Sequence, residues 1–143
     1  MTIDQLSIFV ENSPGRLAEI TGLLGDAGID LRAMSIADTR DFGILRVIVS
    51  EPERAAEVLR AADCVVSVTP VLAVSIEDAP GSLARVLRVL ADAGISIEYI
   101  YAFITRRKGN AYVIFRVEDN ARAVRAFTEH GVKTAGAAEI YEI

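Results

Sequence analysis

Two short segments of the chain combine residue types that suit the binding of a small charged molecule. Residues 11–17 and 77–83, here called the first and second elbow, each run through Pro-Gly into a helical pattern. The first turn of a helix has unpaired backbone N–H groups and a positive partial charge, which favour an anion. Glycine lets a ligand approach the backbone closely. With a nearby side-chain oxygen to accept an ammonium group, such a turn suits an α-amino acid.

The same residues also have a purely structural interpretation. Asn or Asp favours a local turn, Pro fixes φ, and Gly tolerates an unusual φ where the helix begins. The residue types alone leave both interpretations open. The candidate binding residues of the elbows are Asn12, Ser13, Pro14, Gly15, Arg16 and Leu17, and Asp78, Ala79, Pro80, Gly81, Ser82 and Leu83.

The two elbows belong to an internal repeat with a spacing of 66 residues. Residues 14–50 and 80–116 share 14 identities over 37 positions when they are aligned without a gap. That alignment also matches Gly43 with Gly109, and Val47-Ile48 with Val113-Ile114. The repeat predicts two domains, residues 1–69 and 70–143, that meet near Pro70 without a Gly/Ser-rich linker.

Both copies predict the same order of elements from their hydrophobic periodicity. In the first copy the expected order is a strand over 5–11, a helix over 17–27, strands over 31–39 and 44–49 with a turn at 41–43 between them, a helix over 52–62 and a strand over 65–69. In the second it is a strand over 71–77, a helix over 83–90, strands over 97–105 and 111–117, a helix around Val124 and Phe127 and a strand over 132–134. The tail, residues 138–143, is interpreted as a further short strand.

This order predicts an α+β fold, with two ferredoxin-like βαββαβ domains in tandem. A domain of about 60 residues buries only about 60% of its extended-chain surface. The sheet face away from the helices is expected to carry Ile44, Ile48, Tyr112 and Ile114. This face is mixed, since Arg46 and Arg116 also lie on it, but such surface and unpaired sheet edges usually meet a partner. We therefore expect a homodimer that uses it.

Composition and charge exclude several classes of function. The net charge of −5 makes the chain a poor general partner for nucleic acid or an anionic membrane surface. The sequence has one cysteine, Cys64, and one histidine, His130, which give no basis for a multi-cysteine metal site or a cofactor. No apolar run approaches the length of a membrane span, and the N-terminal residues have no secretory-signal pattern. We expect a cytoplasmic protein without cofactors.

The chain resembles the ACT domain family of small regulatory amino-acid-binding modules. The resemblance rests on the two elbows, each followed by Asp-Ala-Gly-Ile, at residues 26–29 and 92–95. It implies a non-catalytic protein whose domains pair side by side into an eight-stranded sheet, and a possible regulated enzyme as partner. It also implies a ligand between the domains, where one elbow faces the start of the other domain's second strand. That adds Asp30, Leu31, Ser96 and Ile97 to the candidate binding residues.

The two implied pockets differ in charge. One would combine Asn12 and Gly15 with Ser96 and Ile97 and is neutral. The other would combine Asp78 and Gly81 with Asp30 and Leu31, and so contains two carboxylates. We expect unequal occupancy, with acidic amino acids avoiding the second pocket.

Three alternatives remain at this level. A purely structural interaction module would use the elbows as turns only. An acylphosphatase-like small hydrolase shares the fold, but its anion-cradling loop needs a positioned Arg and Asn, and the second elbow has Ser82 where the first has Arg16. RNA-recognition modules share the fold too, and residues 106–110 are basic, but the third strand lacks an aromatic-rich segment.

Overall fold

The computed structural model describes residues 1–38, 40–103, 105 and 109–141. The chain divides into two compact units. The first unit is Asp4–Thr69, and the second combines Met1–Ile3 with Pro70–Ile143. The first three residues therefore group with the second copy of the repeat.

The first unit contains one half of the repeated pattern. Its elements are β1 (Ile3–Glu11), α1 (Arg16–Asp26), β2 (Leu31–Asp38), β3 (Phe42–Val49), α2 (Pro52–Ala61) and the beginning of β4 (Val66–Glu77). β3 pairs antiparallel with both β1 and β2. The N–H of Phe9 donates to the carbonyl of Val65 at 3.0 Å, which ties β1 to the residue before β4.

The second unit repeats this arrangement from Pro70 onward. After the remainder of β4 come α3 (Ser82–Asp92), β5 (Ile97–Ala102), β6 (Asn110–Val117), α4 (Asn120–Glu129), β7 (Lys133–Ala135) and α5 (Ala137–Tyr141). β6 lies between β4 and β5, and β7 pairs with β4 on its other side, all antiparallel. The predicted α+β fold, with a βαββαβ pattern in tandem, is confirmed.

Each unit has a hydrophobic core between its helices and one face of its sheet. In the first core the helix residues Ile20 and Leu24 pack with strand residues such as Leu45. In the second core Leu90 and Phe127 pack in the same way. Full burial of such a side chain contributes about 1.5–3 kcal/mol, so the apolar periodicity explains why these helices form here.

The opposite sheet face is not the open surface that the sequence predicts. Ile48 and Ile114 are fully buried within the single chain, and Tyr112 is 1% exposed. Only Ile44 of the predicted group is half-buried. Three of the four residues are thus already covered and cannot provide the predicted dimer contact.

The tail accounts for part of this burial, and the predicted strand over residues 138–143 is wrong. Residues 137–141 form α5, whose Ile140 is fully buried. The Tyr112 hydroxyl donates to Glu139 Oε1 at 3.2 Å. Since Tyr112 alternates along β6 with the core residues Val113 and Phe115, α5 lies against the face opposite the α3–α4 side.

The ungapped repeat alignment fails after the second strand of each unit. Leu6 pairs with Val47 in the first unit, whereas its equivalent Leu72 pairs with Phe115 rather than Val113. The connection from β5 to β6 is therefore two residues longer, and the spacing between copies becomes 68 from β3 onward. The identities at Gly43/Gly109 and Val47-Ile48/Val113-Ile114 do not join equivalent positions.

Some residues of the predicted features lie outside the described part of the chain. These are Thr39, Ile104, the basic residues Arg106, Arg107 and Lys108, and the last residues Glu142 and Ile143. Among the described residues, the structure contains no helix with both the length and the hydropathy needed to cross a membrane.

Candidate functional site

The two elbows have the same backbone conformation. Gly15 has φ 84° and ψ −9°, and Gly81 has φ 85° and ψ −9°, so both are left-handed. Residues with a Cβ rarely adopt this region, which explains why glycine is required in both copies.

Each glycine directly precedes its helix, and no side chain of the described residues caps the first turn of α1 or α3. The N–H groups of Arg16 and Ser82 donate to the carbonyls of Ser13 and Ala79. The N–H groups that follow, those of residues 17–18 and 83–84, are the ones that can meet an outside acceptor.

Backbone hydrogen bonds hold both elbows against the hairpin that follows the second strand. The N–H of Asn12 donates to the carbonyl of Asp41, and that of Asp78 donates to the carbonyl of Gly109, each at 3.0 Å. Within each elbow the bonds Ser13 N–H to Glu11 and Ala79 N–H to Glu77 are both 2.9 Å. The turn is thus a structural feature as well as a candidate site.

The first elbow borders a small cavity of about 120 Å³. Asn12, Ser13 and Leu17 line it together with Ile36 of β2 and Gly43 of β3. The Asn12 side chain donates Nδ2 to the carbonyl of Arg40 at 3.1 Å, which leaves its amide oxygen as an acceptor. Ligand pockets usually start near 300 Å³, so this cavity suits one polar group of a ligand.

Sequence reasoning missed Ile36 and Gly43 as lining residues. They reach the elbow because β3 pairs with β1 and β2 so that Glu11 faces Phe42 and Asp38 faces Gly43. The hydrophobic alternation of β2 and β3 was the available signal, but it gives no strand register. Pairing register is decided across the sheet.

Arg16 and Ser82 occupy the same position in the two elbows but differ in their surroundings. Arg16 forms an ion pair with Glu19 at 3.1 Å and also lies 3.7 Å from the Cys64 sulfur. The hydrogen bond with Glu19 raises the pKa of Arg16 above its usual value. Ser82 is 4% exposed and accepts a hydrogen bond from Arg85 at 3.1 Å.

The remaining elbow residues differ in exposure. Leu17 is 40% exposed, whereas Leu83 packs against the second core. Asp78, Pro14 and Pro80 are exposed, and Ala79 is half-buried. The first elbow therefore presents more apolar surface to solvent than the second.

The candidate residues at the start of each second strand lie far from the elbow of their own unit. The 11-residue helix α1, about 16 Å long, lies between Gly15 and Asp30. Asp30 is bound locally, since its N–H donates to Ser50 Oγ at 3.1 Å and its carboxylate lies 3.4 Å from Arg32. Leu31 and Ile97 pack on their cores, and Ser96 is exposed. No single unit brings the two parts of the predicted site together.

A metal centre has no basis in the described part of the chain. There, no three His, Cys, Asp or Glu side chains lie close enough together to hold an ion. The chemistry that the elbows offer is hydrogen bonding from backbone N–H groups and from polar side chains.

Comparisons with known proteins agree with this architecture. The pattern of the ACT domain pair family matches residues 1–137. Protein BT0572 from Bacteroides thetaiotaomicron has a crystal structure similar to this chain, with a TM-score of 0.93 and 38% identity over 100% of this chain and 98% of that one. Comparison with curated proteins gave no match.

More distant structures share the fold. The regulatory subunit of aspartate kinase from Thermus thermophilus has a TM-score of 0.64 and 20% identity, over 88% of this chain and 91% of that one. The corresponding subunit from Thermus flavus has a TM-score of 0.61 and 20% identity, over 88% and 90%. The chain belongs to the ACT domain pair family.

Proposed function

We propose that this chain is a regulatory module that binds a free amino acid at its elbows and carries out no catalysis. The observation that carries the proposal is the duplicated left-handed glycine before an uncapped helix, at Gly15 and Gly81. Each elbow offers N–H donors to a carboxylate, and membership of the ACT domain pair family supports a ligand-dependent role.

The contrast with α4 supports this use of the helix ends. The first turn of α4 is capped by Asp119, whose carboxylate accepts a hydrogen bond from the N–H of Arg122. In the described residues α1, α2 and α3 begin without such a cap, but only α1 and α3 follow a left-handed glycine. An uncapped first turn is stabilised by any anion that takes the place of the missing side chain.

We propose that the two elbows bind with different preferences. Asn12 presents a neutral amide at the first, and Asp78 presents a carboxylate at the second. A carboxylate attracts the ammonium group of the ligand but repels an acidic side chain. The first elbow should therefore accept acidic amino acids, and the second should prefer neutral or basic ones. Asp30, Leu31, Ser96 and Ile97 remain proposed contributors to these sites.

The proposal is tested by a thermal-shift screen of the chain against the free amino acids, followed by calorimetry. We expect at least one amino acid to raise the melting temperature, and Asn12→Ala and Asp78→Ala to weaken binding unequally. Asp92→Ala, an exposed carboxylate at the far end of α3, is the matched control and should bind normally. Absence of any stabilising amino acid would instead favour a purely structural interaction module.

We further propose that the chain acts in the cytoplasm as a homodimer, and that ligand binding changes its contact with a regulated protein. Apart from Met1, the exposed large apolar side chains of the described residues all belong to the first unit. They are Phe9, Leu17, Met34, Ile36, Phe42, Val65 and Val68. Because most of the previously expected sheet face is buried, the exposed pair Phe9 and Phe42, whose ring centroids lie 4.9 Å apart, replaces it as the proposed contact.

A further inference from the structure

A cavity of about 300 Å³ lies in the second unit, between α3 and the end of α4 with β7. Its polar lining comes from Ser82 and Arg85 of α3, from His130 and Lys133, and from Ser75 and Glu77 of β4. The cavity shares Glu77 and Ser82 with the second elbow, but Asp78 and Gly81 are not among its lining residues. It therefore extends from the elbow along α3 toward His130 and Lys133.

The repeat provides an internal comparison for this cavity. In the first unit the equivalent space is crossed by Arg16, which binds Glu19 and contacts Cys64. The second unit has Ser82 at the position of Arg16 and Arg85 at the position of Glu19. The small side chain of Ser82 leaves the space open. The carboxylate of Glu19, which neutralises Arg16 in the first unit, is replaced in the second unit by the cation Arg85.

On the other side of the cavity, too, the second unit has more basic side chains than the first. With the spacing of 68 that applies after the hairpin, His130 replaces Ala62 and Lys133 replaces Val65. The equivalence is supported by the matching helix ends, since Ala62 and His130 follow α2 and α4 in the same position. Basic side chains therefore stand where the first unit has apolar ones.

The positive charge of Arg85 has no counter-ion among the described residues. Its Nη2 donates to the neutral hydroxyl of Ser82, and its Nη1 lies 3.7 Å from the position that a Cβ on Gly81 would occupy. Lys133 is paired with Glu139 at 3.3 Å, and Glu77 is the one carboxylate in the lining. An added anion would therefore be attracted mainly to Arg85.

Ser82 and Arg85 can both donate a hydrogen bond to an acceptor in the cavity, and His130 forms part of the wall. The Ser82 hydroxyl accepts from Arg85 and still has its own hydrogen to donate. His130 Nδ1 lies 2.9 Å from the carbonyl of Ala126, so this nitrogen carries a proton and the ring is held in place. The floor is apolar and includes Val86, Val89 and Val132.

We infer that this cavity binds a small organic carboxylate with an aliphatic body. Its carboxylate pairs with Arg85 and Ser82, and the aliphatic part packs on the valine floor. A volume of about 300 Å³ is at the lower end for ligand pockets and fits a metabolite of this size. The apolar floor favours an organic carboxylate over inorganic phosphate.

The test is a titration of the full chain with isovalerate, followed by heteronuclear NMR. We expect saturable shifts at the amides of Ser82, Arg85 and residues 131–133. Isobutylamine, which has a similar aliphatic body and the opposite charge, should cause none. Arg85→Gln should weaken isovalerate binding about tenfold or more, because it removes a charge-assisted hydrogen bond.

Two further variants separate this site from other effects. Glu19→Gln, the matched change in the first unit, should leave isovalerate binding unchanged, and so should Asp78→Ala at the elbow. The double variant Ser82→Arg with Arg85→Glu rebuilds the first unit's ion pair and should abolish binding.

The inference is overturned by absence of saturable shifts, by equal binding in Arg85→Gln, or by equal binding of inorganic phosphate. Because Asp78→Ala tests the elbow separately, loss of the elbow site would leave this result intact.

Discussion

Asp119 caps α4: its Oδ1 accepts a hydrogen bond from the N–H of Arg122 at 3.0 Å. Removing such a cap leaves a first-turn N–H without a partner, at a cost of about 1 kcal/mol. We therefore expect Asp119→Ala to lower the free energy of unfolding by about that amount, measured by urea denaturation. Asp119→Asn keeps the accepting oxygen and should stay within a few tenths of the wild type. Equal losses in both variants would show that the charge matters rather than the cap.

The elbow glycines should respond to substitution through backbone strain. A Cβ on Gly15 meets no atom of the described residues within 4 Å, so the obstacle there is the φ of +84°. We expect Gly15→Ala to destabilise the chain by about 1–2 kcal/mol. Gly22 is exposed within α1 and also has space for a Cβ, so Gly22→Ala should stabilise by about 0.5–1 kcal/mol. Chemical denaturation of both variants checks the opposite signs. Two changes of the same sign would contradict the strain argument.

Ile114 should behave as a core residue although it lies on the face away from the helices. It is fully buried, and its truncation leaves a cavity. We expect Ile114→Ala to cost about 2–5 kcal/mol in the free energy of unfolding. Ile36→Ala is the control, since Ile36 is 48% exposed and its truncation should cost much less. If Ile114→Ala changed the oligomeric state and not the stability, the originally predicted dimer face would be restored.

The proposed contact surface of the first unit predicts where self-association can be weakened. Phe9 is 42% exposed and its ring centroid lies 4.9 Å from that of Phe42. Phe9→Ser introduces the residue that the second unit has at the equivalent position, Ser75. We expect it to raise the dimer dissociation constant about tenfold or more, because it removes exposed aromatic surface from the contact. Sedimentation equilibrium measures the constant, and Arg88→Ser on α3 serves as a surface control. Unchanged association in Phe9→Ser would place the contact elsewhere.

The local features of the fold could be predicted because their causes are local in the sequence. The periodicity of Ile20 and Leu24 predicts α1, and Pro-Gly at residues 14–15 and 80–81 predicts the two elbows. Both glycines then adopt the left-handed conformation that their residue type allows. These signals recur at a spacing of 66 residues, and their recurrence predicts the duplication and the tandem α+β fold.

The remaining features depend on strand pairing and packing, which no local pattern contains. A short apolar segment does not show by its pattern whether it forms a strand or a helix. Residues 137–141 form α5, and the hydrogen bond between Tyr112 and Glu139 holds this helix to β6. An insertion of two residues preserves the alternation of side chains, so the sequence pattern does not reveal the register change at Phe115.

By itself the sequence determined the repeat, the order of helices and strands, and the glycine turns, because residue type and periodicity fix local conformation. Only the tertiary structure decided the burial of Ile48 and Ile114 and the cavity beside Arg85. These depend on which side chains meet across elements distant in the chain. In the first unit Arg16 crosses that space, and in the second Ser82 leaves it open.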